Sequence, residues 1–130
     1  MTESVLTAAK PMCFVATTLP EEARRFYAET LGLTFVADDP YGIVFTVGDG
    51  VMLRVQKVQA LSPQQFTVAG WHVEDIEAAV TELSARGVAF LSFGFPGQDA
   101  RGICTFEEGA KVAWFKDPDG NTLSLAQLNR

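Results

Sequence analysis

The chain has 130 residues, 48% hydrophobic and 20% charged, with a formal net charge of −6. That length fits one compact unit able to bury about two thirds of its unfolded surface. The acidic balance, with no basic run, excludes a nucleic-acid footprint, and no apolar run approaches the roughly 18 residues of a membrane span.

In chain order, residues 1–10 read as a loose arm without the basic start and apolar core of a signal peptide. Cys13 and Cys104 are the only cysteines. They lack metal-type spacing, so reduced thiols and a cytoplasmic protein are expected. Residues 11–17 (PMCFVAT) form an apolar strand pattern. Thr18 with Glu21 three residues later has the spacing of a capping box, and Pro20 suits a first helical turn. Ala23, Phe26, Tyr27 and Leu31 follow at helical spacing until Gly32 stops the helix. Strand patterns cover residues 33–37, 41–47 and 51–57, the last two joined by Gly48-Asp49-Gly50, which has hairpin chemistry. The order so far is β-α-β-β-β.

Residues 59–65, containing Ser62-Pro63-Gln64, resemble a linker. The pattern then restarts. Residues 66–73 predict a strand and residues 74–86 a helix, with Ile76, Ala79, Val80 and Leu83 as its apolar stripe and Gly87 as its end. Residues 88–93 predict another strand. The two halves superpose at an offset of 55 residues: Glu22-Ala23 falls on Glu77-Ala78, Gly32 on Gly87, Leu33 on Val88 and Phe35 on Phe90. This suggests a duplicated unit; two generic βα units are the competing explanation. One domain of two modules, residues 11–58 and 66–128, is expected. Residues 94–110 are long for a connection, as in a lid or binding loop, with Phe95 and Phe106 available to cover a ligand or to bury the loop. Glu107-Glu108-Gly109 also reads as a charged turn.

Residues 112–127 (VAWFKDPDGNTLSLAQ) predict a β-hairpin closed by Asp117-Pro118-Asp119-Gly120-Asn121. In its second arm Leu123 and Leu125 point one way, and Thr122, Ser124 and Ala126 the other. The first face suits packing under helices; the second, small and mildly polar, suits a cavity wall. Asp117, Asp119 and Asn121 do not make a calcium loop, because the glycine comes at the fourth position and Leu128 stands where the bidentate Glu belongs.

Residues 26–33 (FYAETLGL), 71–88 (WHVEDIEAAVTELSARGV) and 113–125 (AWFKDPDGNTLSL) together resemble the vicinal oxygen chelate superfamily. Its members include glyoxalase I, extradiol dioxygenases, fosfomycin-resistance enzymes and bleomycin-binding proteins. The resemblance implies an α+β fold: two βαβββ modules whose curled mixed sheets enclose a cavity, with helices outside. It also implies a homodimer. In the metal-using members, four cavity-facing His, Glu or Gln side chains hold a divalent ion with positions open to vicinal substrate oxygens. Carried over by counting within the motifs, those positions fall on Met12, Leu53, Val68 and Ser124. A one-residue error would give Cys13 at the first and Arg54 at the second. None of the four is a His, carboxylate or amide, so no metal and no cofactor are expected.

His72 is the only histidine. It shares strand parity with Val68 and Gly70, which leaves it a pocket contact or a rim histidine. A Cys-His dyad would need a proximity that the sequence does not show. Trp71 and Trp114 are ambiguous between core, dimer interface and ligand platform. The first functional reading is a metal-free binding protein of the bleomycin-resistance kind, whose small-molecule cavity is lined by Met12, Phe14, Leu53, Val68, His72 and Ser124. The second is a lyase or dioxygenase with metal ligands at unusual positions, such as His72 with Glu107 or Glu108. A third is a dimer whose pocket is filled by its own side chains.

Overall fold

The computed structural model describes residues 4–128. Strands β1 (Met12–Thr17), β2 (Thr34–Asp38), β3 (Gly42–Val47) and β4 (Val51–Lys57) form a four-stranded sheet in the order β1-β4-β3-β2. Strands β5 (Thr67–His72), β6 (Cys104–Thr105), β7 (Lys111–Lys116) and β8 (Thr122–Gln127) form another in the order β5-β8-β7-β6. In both sheets the first and last strands pair in parallel and the remaining pairs are antiparallel. The similarity of the two halves is therefore one of topology as well as of sequence.

Within the expected N-terminal arm, residues 1–3 lie outside the described residues, and Val5–Thr7 makes a 3-10 turn. Helix α1 (Pro20–Arg25) runs on into a π-helical turn, Phe26–Thr30, and the chain reverses at Gly32, whose φ of +74° suits glycine. The expected capping box does not form. Leu19 is the N-cap, and the Thr18 amide and hydroxyl donate to Oδ1 of Asp119 at 2.8 and 2.9 Å. A carboxylate offered by the other sheet is the stronger acceptor for these donors. Helix α2 (Ile76–Ala85) is capped by Asp75, which accepts from the Ala78 amide at 3.1 Å. The Ile76 amide donates to Oε1 of Gln127 at 2.9 Å, fixing the start of α2 to the end of β8.

The strand expected over residues 88–93 is reduced to a single bridge, Phe90 with Phe115. The Phe90 ring packs edge-on to Phe115 at 5.5 Å, and the Leu91 amide donates to the Trp114 carbonyl at 2.8 Å. Beyond that, Gly94, Pro96 and Gly97 break the extended backbone, and the ladder along β7 resumes only at β6. The loop expected over residues 94–110 thus contains a strand.

Alternation divides each sheet into two faces. Val15, Phe45, Leu53, Val55, Phe115, Leu123 and Leu125 point towards the helices. There they join Ala23, Tyr27, Ile76, Val80 and Leu83 in one core that spans both sheets. Among the described residues no helix of the core packs against the other face, which is called the open face below. Edge strands β1 and β5 adjoin. Their seam is closed at one end by Asn121 Nδ2 donating to the Ala16 carbonyl at 2.8 Å, and by Thr17 Oγ1 donating to Asp119 Oδ2.

Candidate functional site

Strand register decides which side chains share the open face. Met12 pairs with Met52 and Phe14 with Arg54, while Cys13 pairs with Leu53. Met12 and Phe14 are each about half exposed, at 51% and 50%, whereas Leu53 is 2% exposed in the core. Leu53 therefore points away from Met12, and the β4 side chains on the Met12 side are Met52 and Arg54. On the second sheet Val68 is 37% exposed and His72 exposed, sharing the parity of Gly70 on β5. Ser124 lies beside Gly70 in the ladder and is buried against it: a Cβ on Gly70 would come within 2.7 Å of Ser124 Oγ.

Four of the six side chains expected in one cavity are thus divided between two regions, and Met12 and Ser124 line neither. Phe14 and Val68 line a recess of about 240 Å3 with Gln56 and the chain around Pro63. Leu53 and His72 border a larger cavity of about 610 Å3, with Cys13, Asp49, Ala69 and Trp71, where the β1–β5 seam opens. Cys13 and His72 both border it, but Cys13 shares the helix-side parity of Leu53 and His72 that of Gly70. On the helix side, Trp71 stacks on Phe115 at 6.4 Å and also lines an apolar cavity of about 270 Å3 with Leu31, Leu33 and Leu83.

A divalent ion does not suit these residues. The side chains carried over from the superfamily resemblance include an apolar Leu53 facing the core and a Val68 without lone pairs. Arg54, which does share the face, is a cation held to Asp39 at 3.4 Å and would repel an ion. Among the described residues no three His, Cys, Asp or Glu side chains converge to hold a metal, and His72 with Glu107 and Glu108 makes no such cluster.

Trp114 and Lys116 share the open face with Ser124 and Thr122, their partners across the β7–β8 ladder. Phe93 and Phe95 stack at 5.3 Å and both meet the Trp114 ring edge-on, at 5.3 and 6.1 Å. The alternation of β7 already aligns Trp114 with Lys116 in the sequence. Gln98, which holds the loop carrying Phe93 and Phe95, has no sequence signal, because its partners are backbone groups brought close only by the fold.

A family profile of the Glyoxalase/Bleomycin resistance protein/Dioxygenase superfamily matches residues 11–125. The chain belongs to that superfamily. No curated protein matches it in sequence. Among solved structures, a superfamily member from Sphaerobacter thermophilus DSM 20745 is 25% identical, with a TM-score of 0.72 over 95% of this chain and 100% of that one. TnmS3, an antibiotic binding protein from Streptomyces sp. CB03234, is 25% identical, with a TM-score of 0.65 over 92% and 95% of the two chains. A lactoylglutathione lyase from Agrobacterium tumefaciens is 18% identical, with a TM-score of 0.66 over 92% and 93%, a likeness of fold alone. Proteins of this fold thus include a lyase and an antibiotic binding protein. Among the described residues, no helix is long and apolar enough to cross a membrane.

Proposed function

We propose that this protein binds a small organic molecule on its open face without a metal ion. The observation that carries the reading is the composition of that face. Where metal-using relatives would carry donors, this chain has Met12, Val68 and Ser124, with Arg54 nearby, and beside them it exposes Phe14, Phe93 and Phe95. A concave, mostly apolar surface with a few polar groups is the usual ground for organic ligands, and Phe14 and Val68 line such a recess. Likeness to TnmS3, an antibiotic binding protein, supports binding over turnover. The competing lyase or dioxygenase reading would need His72 with Glu107 or Glu108, a set without convergence among the described residues.

The ligand pocket proposed from sequence narrows to the recess shared by Phe14 and Val68, with Met12 and the buried Ser124 on the same face, His72 at the strand end and Leu53 behind the sheet. Residues 11–58 and 66–128 are proposed as the two modules of one domain, acting in the cytoplasm. A second copy of the chain is proposed to cover part of the open face, where exposed Met12 and Phe14 would otherwise remain in water. The test of the metal-free reading is elemental analysis after purification without chelator, paired with thermal scans in nickel, zinc, manganese and iron(II). The expected result is substoichiometric metal and unchanged melting. A stoichiometric ion whose removal abolishes ligand binding would overturn the reading.

A further inference from the structure

We infer that the open-face site takes a flat aromatic molecule bearing an acidic group, its ring against Phe93 and Trp114 and its anion at Lys116. This rests on the binding reading above and adds the ligand's chemical class.

The first support is an aromatic platform that exists before any ligand arrives. Phe93 and Phe95 remain 46% and 47% exposed although both are locked against Trp114. Gln98 holds their loop through both ends of its amide. Its Oε1 accepts from the Phe93 and Gly94 amides at 2.7 and 3.2 Å, and its Nε2 donates to the Leu91 and Gly102 carbonyls, each at 3.0 Å. Rings fixed in advance spare a ligand the entropy of ordering them. Beside the indole the floor is low: Trp114 pairs with Ser124 and Ser124 with Gly70, which has no side chain.

The second support is charge. Lys116 lines a recess of about 300 Å3 with Phe93, Leu91, Ser92, Gln65 and Thr122, none of them acidic. Lys10 bonds the Asp49 carbonyl, and Arg24, Arg54, Lys57, Arg86, Arg101 and Lys111 all sit in ion pairs. Of the cationic side chains among the described residues, only those of Arg25 and Lys116 make no hydrogen bond or ion pair, and Lys116 is the one beside the rings. On a protein of net charge −6, an uncompensated ammonium next to exposed aromatic surface selects an anion against a cation.

The test compares 1-naphthoate with 1-naphthylmethylamine, which share a ring system and differ in charge, by calorimetry on the wild-type chain. The two indole N–H signals are followed by NMR and assigned through Trp71→Phe. Naphthoate is expected to bind at least about tenfold more tightly than the amine, to shift the Trp114 signal and not that of Trp71, and to lose about tenfold in Lys116→Met. Equal or tighter binding of the amine, full affinity in Lys116→Met, or a shift confined to Trp71 would each overturn the inference. If neither probe binds while a library compound does, and Val68→Trp blocks that compound, the acidic aromatic class fails and the binding reading stands.

Discussion

The phenol of Tyr27 donates a 2.7 Å hydrogen bond to Oδ2 of Asp117, between side chains 90 positions apart. Tyr27 is fully buried and Asp117 is 6% exposed. The same carboxylate accepts from the amides of Asp119 and Asn121 at 3.0 and 2.9 Å, and from Asn121 Nδ2 at 2.8 Å. Because Asn121 also reaches the Ala16 carbonyl, the Pro-Asp-Gly turn of the second sheet is bonded to both the helix and the first strand of the first sheet. The turn is thus a tie between the two halves, and the open face keeps its shape only while they stay in register.

Tyr27→Phe removes one donor from a buried carboxylate and leaves the ring packing in place. The expected cost is about 1–3 kcal/mol, read as a lower urea midpoint with an unchanged slope. Alkali tests the same bond. Burial, and next the neighbouring Asp117 charge, raise the Tyr27 phenol far above its ordinary value of 10.0. The folded chain therefore keeps a proton that the unfolded chain releases above about pH 10, so stability falls as pH rises beyond that point. In Tyr41→Phe, phenolate absorbance should appear together with loss of the native circular dichroism. Phenolate formation in a still-folded protein would contradict the assignment.

Gln98→Ala should release the Phe93–Gly94 backbone and loosen the ring cluster. The expected signature is loss of the near-ultraviolet dichroism contributed by Trp114, with the far-ultraviolet spectrum retained. Gln98→Glu keeps the acceptor and loses the Nε2 donor to the Leu91 and Gly102 carbonyls, so it should sit between the two. A near-ultraviolet spectrum identical to wild type in Gln98→Ala would remove Gln98 from the account.

Light scattering at micromolar concentration should give a particle of twice 14.1 kDa. Phe14→Lys, at a half-exposed site on the open face, should shift it towards the single chain. A clean single-chain mass for the wild type would set aside the second copy as a cover for that face.

Much of this architecture is written locally in the sequence. Strand alternation in residues 122–127 separates Leu123 and Leu125 from Ser124, and Gly32 and Gly87 end their helices at positive φ, +74° and +101°. What is not legible depends on register and distance. Counting along a motif fixes a strand but not its phase, so the second carried-over position fell on Leu53, whereas pairing with Cys13 turns that residue to the core. Composition marks residues 88–93 as a strand, but the glycines and proline just after them decide how little of the ladder survives. Thr18 reads as a helix cap until Asp119, 101 positions away, arrives to take its donors.

The measurement that bears most directly on the binding claim is a thermal-stabilisation screen of metabolites and antibiotics, run on chelator-treated wild type and on Val68→Trp. Val68 is the better site for an obstruction because it is 37% exposed, whereas Ser124 is already in contact with Gly70 and a large residue there would overpack the sheet. Saturating ligand raises the unfolding free energy of the form it binds, by about 2.7 kcal/mol at a hundredfold excess over Kd. The account predicts at least one compound that raises the melting temperature of the chelated wild type and has no effect on a folded Val68→Trp. A shift that needs a stoichiometric metal ion, or one that persists unchanged in Val68→Trp, would contradict it.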